Sequence, residues 1–211
     1  MLPSVVSKIP YVDTGVVLTR NIPLPAGLVV GNTLALILET DATPSLPADW
    51  FLKDTHVLSG FPHHLPTESI YTHLIDGSEG ATVTVTTSGP DPAGTAIAAE
   101  CYQIAGATGQ FAFGSPNSAN NPPSVTLPWG ASDVLALAIA GGIGVTNPPQ
   151  NILAYPTGYT GGFIAAIPIG GGSYVASATA QLTGVTSVDP PAFTLLRTVN
   201  AKWAQTMVIK G

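Results

Sequence analysis

Thr82–Ser88 reads TVTVTTS. Valine and threonine alternate along it, so an extended chain puts the apolar side chains on one face and the hydroxyls on the other. The stretch is therefore a strand with one buried and one solvated face, as in an antiparallel sheet laid on a core. Thr33–Thr40 (TLALILET) is mostly apolar and suits a sheet centre. Strands are predicted as well at 16–23, 68–75, 95–104, 133–140, 162–169, 173–183 and 202–210. Shorter candidates fall at 51–58, 111–113 and 193–199. The alanine-rich runs 96–105 and 134–140 also allow a helix. Both are short, bounded by Gly or Pro, and lack a polar face at 3.6-residue spacing, so strand is favoured.

The 211 residues hold 20 Pro and 23 Gly, which leave almost no room for a helix of ordinary length. About a dozen strands at this spacing predict an all-β chain, a β-sandwich of jelly-roll type. A weak internal repeat sets GNTLALILE against ASDVLALAIA, and TAIAAECYQIAG against KWAQTMVIKG. The expectation is one domain of two related Greek-key halves, residues 1–114 and 129–211, sharing one core. The Pro- and Asn-rich stretch 115–128 (SPNSANNPPSVTLP) is read as an extended, solvated linker between them.

Charge excludes one class of partner. Only 9% of residues are charged and the formal net charge is −6. Lys8, Arg20, Lys53, Arg197, Lys202 and Lys210 are scattered, and nucleic-acid binding needs clustered cations. The single cysteine, Cys101, cannot form an intramolecular disulfide and reads as a small buried hydrophobe. The start MLPSVVSKIPYV lacks a basic segment followed by an apolar core, so no signal peptide and synthesis in the cytoplasm are expected. No uninterrupted apolar run of about 18 residues predicts a membrane helix.

Motifs for phosphate cradling, dinucleotide binding, zinc proteolysis and serine hydrolysis are absent. No enzyme activity and no cofactor are expected. His56, His63, His64 and His73 fall close together. They read as solvated loop histidines, with a metal site from His56, His63 and an aspartate, or a titrating interface, as alternatives. Asp41, Asp49, Asp54, Asp76 and Glu79 read as turn and cap residues, with Ca²⁺ ligation as the alternative. Glu39 and Glu100 sit in apolar strands and are the one pair to watch for glycosidase chemistry. Trp50 and Trp203 are expected in the core. Trp129 follows Pro128 at a loop-to-strand junction and is the best candidate for an exposed contact aromatic.

Three segments resemble β-sandwich structural proteins of tailed bacteriophages. In GLVVGNTLALILETDATPSLPADWFL, the Gly31–Asn32 turn leads through Leu34 to Leu38 and Pro47 to Trp50. IYTHLIDGSEGATVTVTTSG and the closing KWAQTMVIKG with Trp203 extend the likeness over most of the chain. The second half departs from it by losing the threonine alternation and becoming rich in Gly and Ala. The resemblance implies a β-sandwich with a structural or adhesive role. The expected function is a virion protein, a capsid decoration (cement) protein docked on the major capsid protein, with a homotrimer on a local three-fold axis. Contacts are expected from residues 1–11, 56–66 (with His63 and His64) and 115–128. The alternative is a tail or fibre module that binds a host glycan or receptor through Trp129 with Asn117, Asn120 and Asn121. A jelly-roll glycan hydrolase comes third.

Overall fold

The computed structural model describes residues 1–15, 17–40, 42–57, 67–88, 97–145, 152–167, 172–195 and 201–211. Within them the chain forms strands and turns without a helix. The first eight strands are β1 (Ser4–Asp13), β2 (Thr19–Pro23), β3 (Thr33–Thr40), β4 (Thr43–Ser45), β5 (Phe51–Val57), β6 (Thr67–Leu74), β7 (Thr82–Ser88) and β8 (Ile97–Ala105). They make a five-stranded sheet, β1-β8-β3-β6-β5, and a three-stranded sheet, β2-β7-β4, with antiparallel pairing throughout.

The remaining strands are β9 (Phe111–Phe113), β10 (Val125–Thr126), β11 (Ser132–Val145), β12 (Ile152–Ala154), β13 (Thr160–Ala166), β14 (Gly172–Val185), β15 (Ser187–Val188), β16 (Thr194–Leu195) and β17 (Ala201–Lys210). They form the five-stranded sheet β13-β14-β11-β17-β9 and two pairs, β10-β15 and β12-β16. Read backwards, this second sheet matches the first strand for strand: β9, β17, β11, β14 and β13 stand where β1, β8, β3, β6 and β5 stand. β10 and β12 take the places of β2 and β4, while β15 and β16 together take that of β7. Pro190 and Pro191 lie between β15 and β16, where neither can donate to a ladder. The order of the first eight strands differs from a regular two-sheet jelly roll in one strand. β5 pairs with β6 on the large sheet instead of joining β4 on the small one.

Four layers result. The two large sheets lie face to face, β14 against β8 and β3, and β13 against β1 and β8. Between them Ala35, Ile37, Ile70, Ala98 and Ile104 meet Leu135, Leu137, Ile139, Trp203 and Met207. The outer face of the first sheet packs Leu34, Leu36, Leu38, Tyr71 and Cys101 against Ile22, Val83 and Val85 of the small sheet. Val134, Ala136 and Val208 pack outward against Val125, Leu127 and Val188, and Ala138, Ala140, Tyr174 and Ala176 against Phe193. β3 and β8 are thus buried on both faces, and both are mostly apolar along their length. β7 keeps its alternating buried and exposed pattern because it covers the outside.

Several expectations change. Residues 1–11, read as a contact arm, are mostly β1, an edge strand paired along its length with β8. Its Lys8 and Pro10 mask the strand signal, and both are devices that protect a sheet edge. The stretch 115–128 is neither solvated throughout nor placed between the sheets. Val125 and Leu127 are core residues, and Asn117 bridges to Ala204. The chain passes from one large sheet to the other between β8 and β9, at residues 106–110. β11 and β14 run to 14 residues each, and they pair with each other from Ser132↔Val185 to Val145↔Gly172.

Candidate functional site

Two arrangements hold the chemistry: a closed polar layer between the large sheets, and an open aromatic strip at their side. The closed layer follows from register. Glu39, Glu68 and Glu100 all point from the first sheet towards the second, and Glu39 stands directly opposite Glu68. All three are fully buried. The Trp203 indole N–H donates to Glu39 Oε2 at 2.6 Å. Ser177 Oγ and Tyr102 OH donate to Glu100 Oε2, the latter at 3.1 Å. Glu68 has no hydrogen-bond partner for either carboxyl oxygen among the described residues. Asp54 of β5 accepts from Gln205 Nε2 at the layer's margin. Lys8 approaches from the opposite margin, where its ammonium meets Gly161 O and the rings of Tyr102 and Phe163.

The electrostatics follow from this crowding of acids. Burial pushes the Glu100 carboxyl up to about 8, against the pull of the Ser177 and Tyr102 hydrogen bonds and the Lys8 charge. Burial, reinforced by nearby Asp54, raises Glu68 well above the carboxylate range. Lys8 is lowered by burial and partly restored by Glu100. Burial thus favours the protonated form of both Glu68 and Glu100.

A second ionic cluster closes the end of the first sandwich. His73 is 4% exposed and stacks on Trp50, with ring centroids 5.2 Å apart. Its Nε2 lies 2.7 Å from Glu79 Oε1 and its Nδ1 3.0 Å from the Asp49 carbonyl. Glu79 also accepts the backbone N–H groups of Asp76 and Gly77. Burial alone raises Glu79, but these hydrogen bonds win and hold it at about 2. For His73 burial lowers the pKa, and the Asp49 and Glu79 hydrogen bonds outweigh it and raise it. Gly31, at φ 89°, makes the neighbouring turn that leads into β3.

The open strip lies where β5, the terminal strand of the first sheet, comes beside β9, the terminal strand of the second. Phe51 is 60% exposed. The Lys53 ammonium sits 5.6 Å from the Phe51 ring and 5.3 Å from the Phe111 ring. A cleft of about 290 Å³ opens there, walled by Phe51, Leu74, Ala107 and Phe111 with threonine hydroxyls between them. A second, shallower cleft of about 350 Å³ continues from Phe111 past Gln110 and Pro128 to Trp129. Lys210 lies 5.8 Å over the Trp129 ring.

No protein-family model, curated protein or solved structure matches this chain.

Of the residues singled out in the sequence, Trp129 is half-buried, packs on the outer core of the second sheet and lines the shallower cleft. The asparagines are engaged elsewhere. Asn117 donates to the Asn121 carbonyl, and Asn120 donates to the Phe193 carbonyl at 2.6 Å. The Asn120 bond and the Asn117 backbone pairing with Ala204 hold the 115–128 stretch to the body, and none of the three asparagines lines the Trp129 cleft. His63, His64 and Asp41 lie outside the described residues. Among the described residues no group of three or more His, Cys, Asp or Glu side chains is placed to hold a metal ion. His73, read as a solvated histidine, is buried by Trp50, because it points outward from the first large sheet onto the small sheet's end. Glu39 and Glu100 are sealed inside the layer, bonded to Trp203 and to Ser177 with Tyr102. Trp50 and Trp203 are buried and Cys101 is in the core, its thiol pushed up by burial.

Sequence reasoning missed the strip. Its signal was Phe-Leu-Lys at the head of a strand that alternates poorly, a mark of an edge. It also missed Glu68 as a buried acid. Only pairing against Glu39 reveals that one.

Proposed function

We propose that the chain is a non-enzymatic structural protein of a virion, a capsid decoration protein docking on the major capsid lattice. The observation that carries the reading is the exposed apolar edge at β5. Phe51, Leu52 and Val57 are each at least half exposed, with Leu74 beside them, in a chain with only 9% charged residues. Apolar side chains along an exposed sheet edge support an interaction surface there. Two sandwiches locked face to face make a stiff body, which suits permanent docking. The resemblance of the quoted segments to phage structural proteins gives the particle, and symmetric shells favour a homotrimer as the docking unit. The test is the copy number of this chain in purified particles, by quantitative mass spectrometry against the major shell protein. A simple stoichiometric fraction supports decoration of the lattice, and absence from particles overturns the reading.

A second reading, a tail or fibre module for a host glycan, draws on Trp129, whose ring lines an open cleft beside Gln110. An aromatic face of this kind stacks on a sugar ring. A few copies per particle, with glycan-array binding lost in Trp129→Ala, would favour it over decoration.

A further inference from the structure

The two lateral clefts share Phe111, so they form one strip from β5 across β9 to Trp129. We propose that this strip receives an extended, acidic and apolar segment of the protein on which the chain docks. The proposal rests on the docking reading above and names its partner's chemistry.

Charge is the first argument. The chain carries 12 acidic and 6 basic residues, yet two of those six, Lys53 and Lys210, lie along this strip. Neither forms an ion pair among the described residues. Each ammonium rests instead over aromatic faces, at 5.3 to 5.8 Å from Phe51, Phe111 and Trp129. A cation–π contact satisfies one side of an ammonium and leaves the other for a carboxylate. An acidic segment is drawn to the two lysines, whereas a basic one would place like charges together.

Shape is the second argument. The walls are apolar rings, so the occupant must bring apolar side chains as well as carboxylates. The clefts are open and shallow rather than a tunnel, which favours a chain laid across them. Among the described residues β5 is also the last strand of its sheet, so its outer edge offers backbone groups to an extended backbone. Lys53 sits at the register shift between Leu52 and Asp54, which turns its side chain towards Phe111 instead of leaving it in the strand's plain alternation.

The test uses the full chain and three labelled hexapeptides, capped at both ends: Leu-Glu-Leu-Glu-Leu-Glu and its counterparts with Gln or Lys in place of Glu. Binding is read by fluorescence anisotropy and located by backbone amide NMR shifts. The acidic peptide is expected to bind at least tenfold more tightly than the glutamine peptide, with shifts centred on Phe51, Lys53 and Phe111. The lysine peptide is expected not to bind. The double variant Lys53→Gln/Lys210→Gln changes two ammoniums that form no ion pair among the described residues and should keep the native circular dichroism while losing the preference for acid. Phe111→Ala should lose binding of the acidic and glutamine peptides alike. Equal binding of the acidic and neutral peptides, shifts centred elsewhere, or an unchanged preference in the lysine double variant would overturn the proposal. The outcomes separate from those of the docking reading. A particle-borne chain whose lysine double variant still loads normally overturns the strip alone. A chain that prefers the acidic peptide but is absent from particles overturns the virion reading alone.

Discussion

Replacing Glu100 with glutamine should make this protein less sensitive to alkali. The Glu100 carboxyl is fully buried between the large sheets and holds its proton up to about 8, against 4.5 for an exposed glutamate. Because the folded value is raised, the stability linked to this proton is whole below 4.5 and is lost as pH rises through about 8. Between those limits the loss is about 1.4 kcal/mol per pH unit, or about 3 kcal/mol by pH 7 and about 5 kcal/mol above pH 9. The groups that face Glu100 are Ser177 from β14, Tyr102 from its own strand and Lys8 from β1, and only Lys8 carries a compensating charge. Glutamine keeps an acceptor for Ser177 and Tyr102 but has no charge to develop. Its amide replaces Oε1, which already lacks a partner, so a constant cost of about 1 kcal/mol is expected. For a domain of this size about 1 kcal/mol moves the melting temperature by about 2–4 °C. The melting temperature of Glu100→Gln minus that of wild type should therefore begin slightly negative at pH 5 and rise by about 10 °C or more by pH 9. Differential scanning calorimetry across that range decides it. A difference that stays constant with pH would refute the reasoning, because Glu100 would then be ionised in the folded protein already.

Four other outcomes follow from the same geometry. Glu68→Gln should behave like Glu100→Gln, with a gain at high pH, since its carboxyl has no partner to lose among the described residues. Gly141→Ala should destabilise by roughly 1–3 kcal/mol in urea unfolding, because a Cβ there overlaps the Trp203 indole across the ladder. Glu79→Gln should bring the His73 titration, followed by ring-proton NMR, down towards 6.5 and lower the melting temperature most below that pH, where His73 is charged in wild type. Deleting residues 1–13 should lower thermal stability sharply whether or not particles are present, since it strips β1 from β8; unchanged stability would return the segment to a free contact arm.

The strand content was legible because its causes are local. Alternation gave β7 its two faces, and a mostly apolar run marked β3 as a sheet centre, which is buried on both sides. The repeat between the halves was visible as pattern, and the reversed strand order is its structural form. β1 was missed because Lys8 and Pro10 break its pattern, and those same residues protect a sheet edge.

What only the tertiary structure decided is which faces meet. Glu39, Glu68 and Glu100 are far apart in sequence, and nothing local makes any of them buried. They come together because three strands are aligned in register and a second sheet closes over them, so that burial, a nonlocal property, raises the pKa of Glu68 and Glu100. The strip is of the same kind. Phe51 and Lys53 belong to one sheet's edge, Phe111 to the other's, and Trp129 to the loop before β11. Residue type and alternation determine which way a side chain points from its own strand, but not what stands opposite. That depends on how two sheets pack, and packing is settled by the whole chain at once.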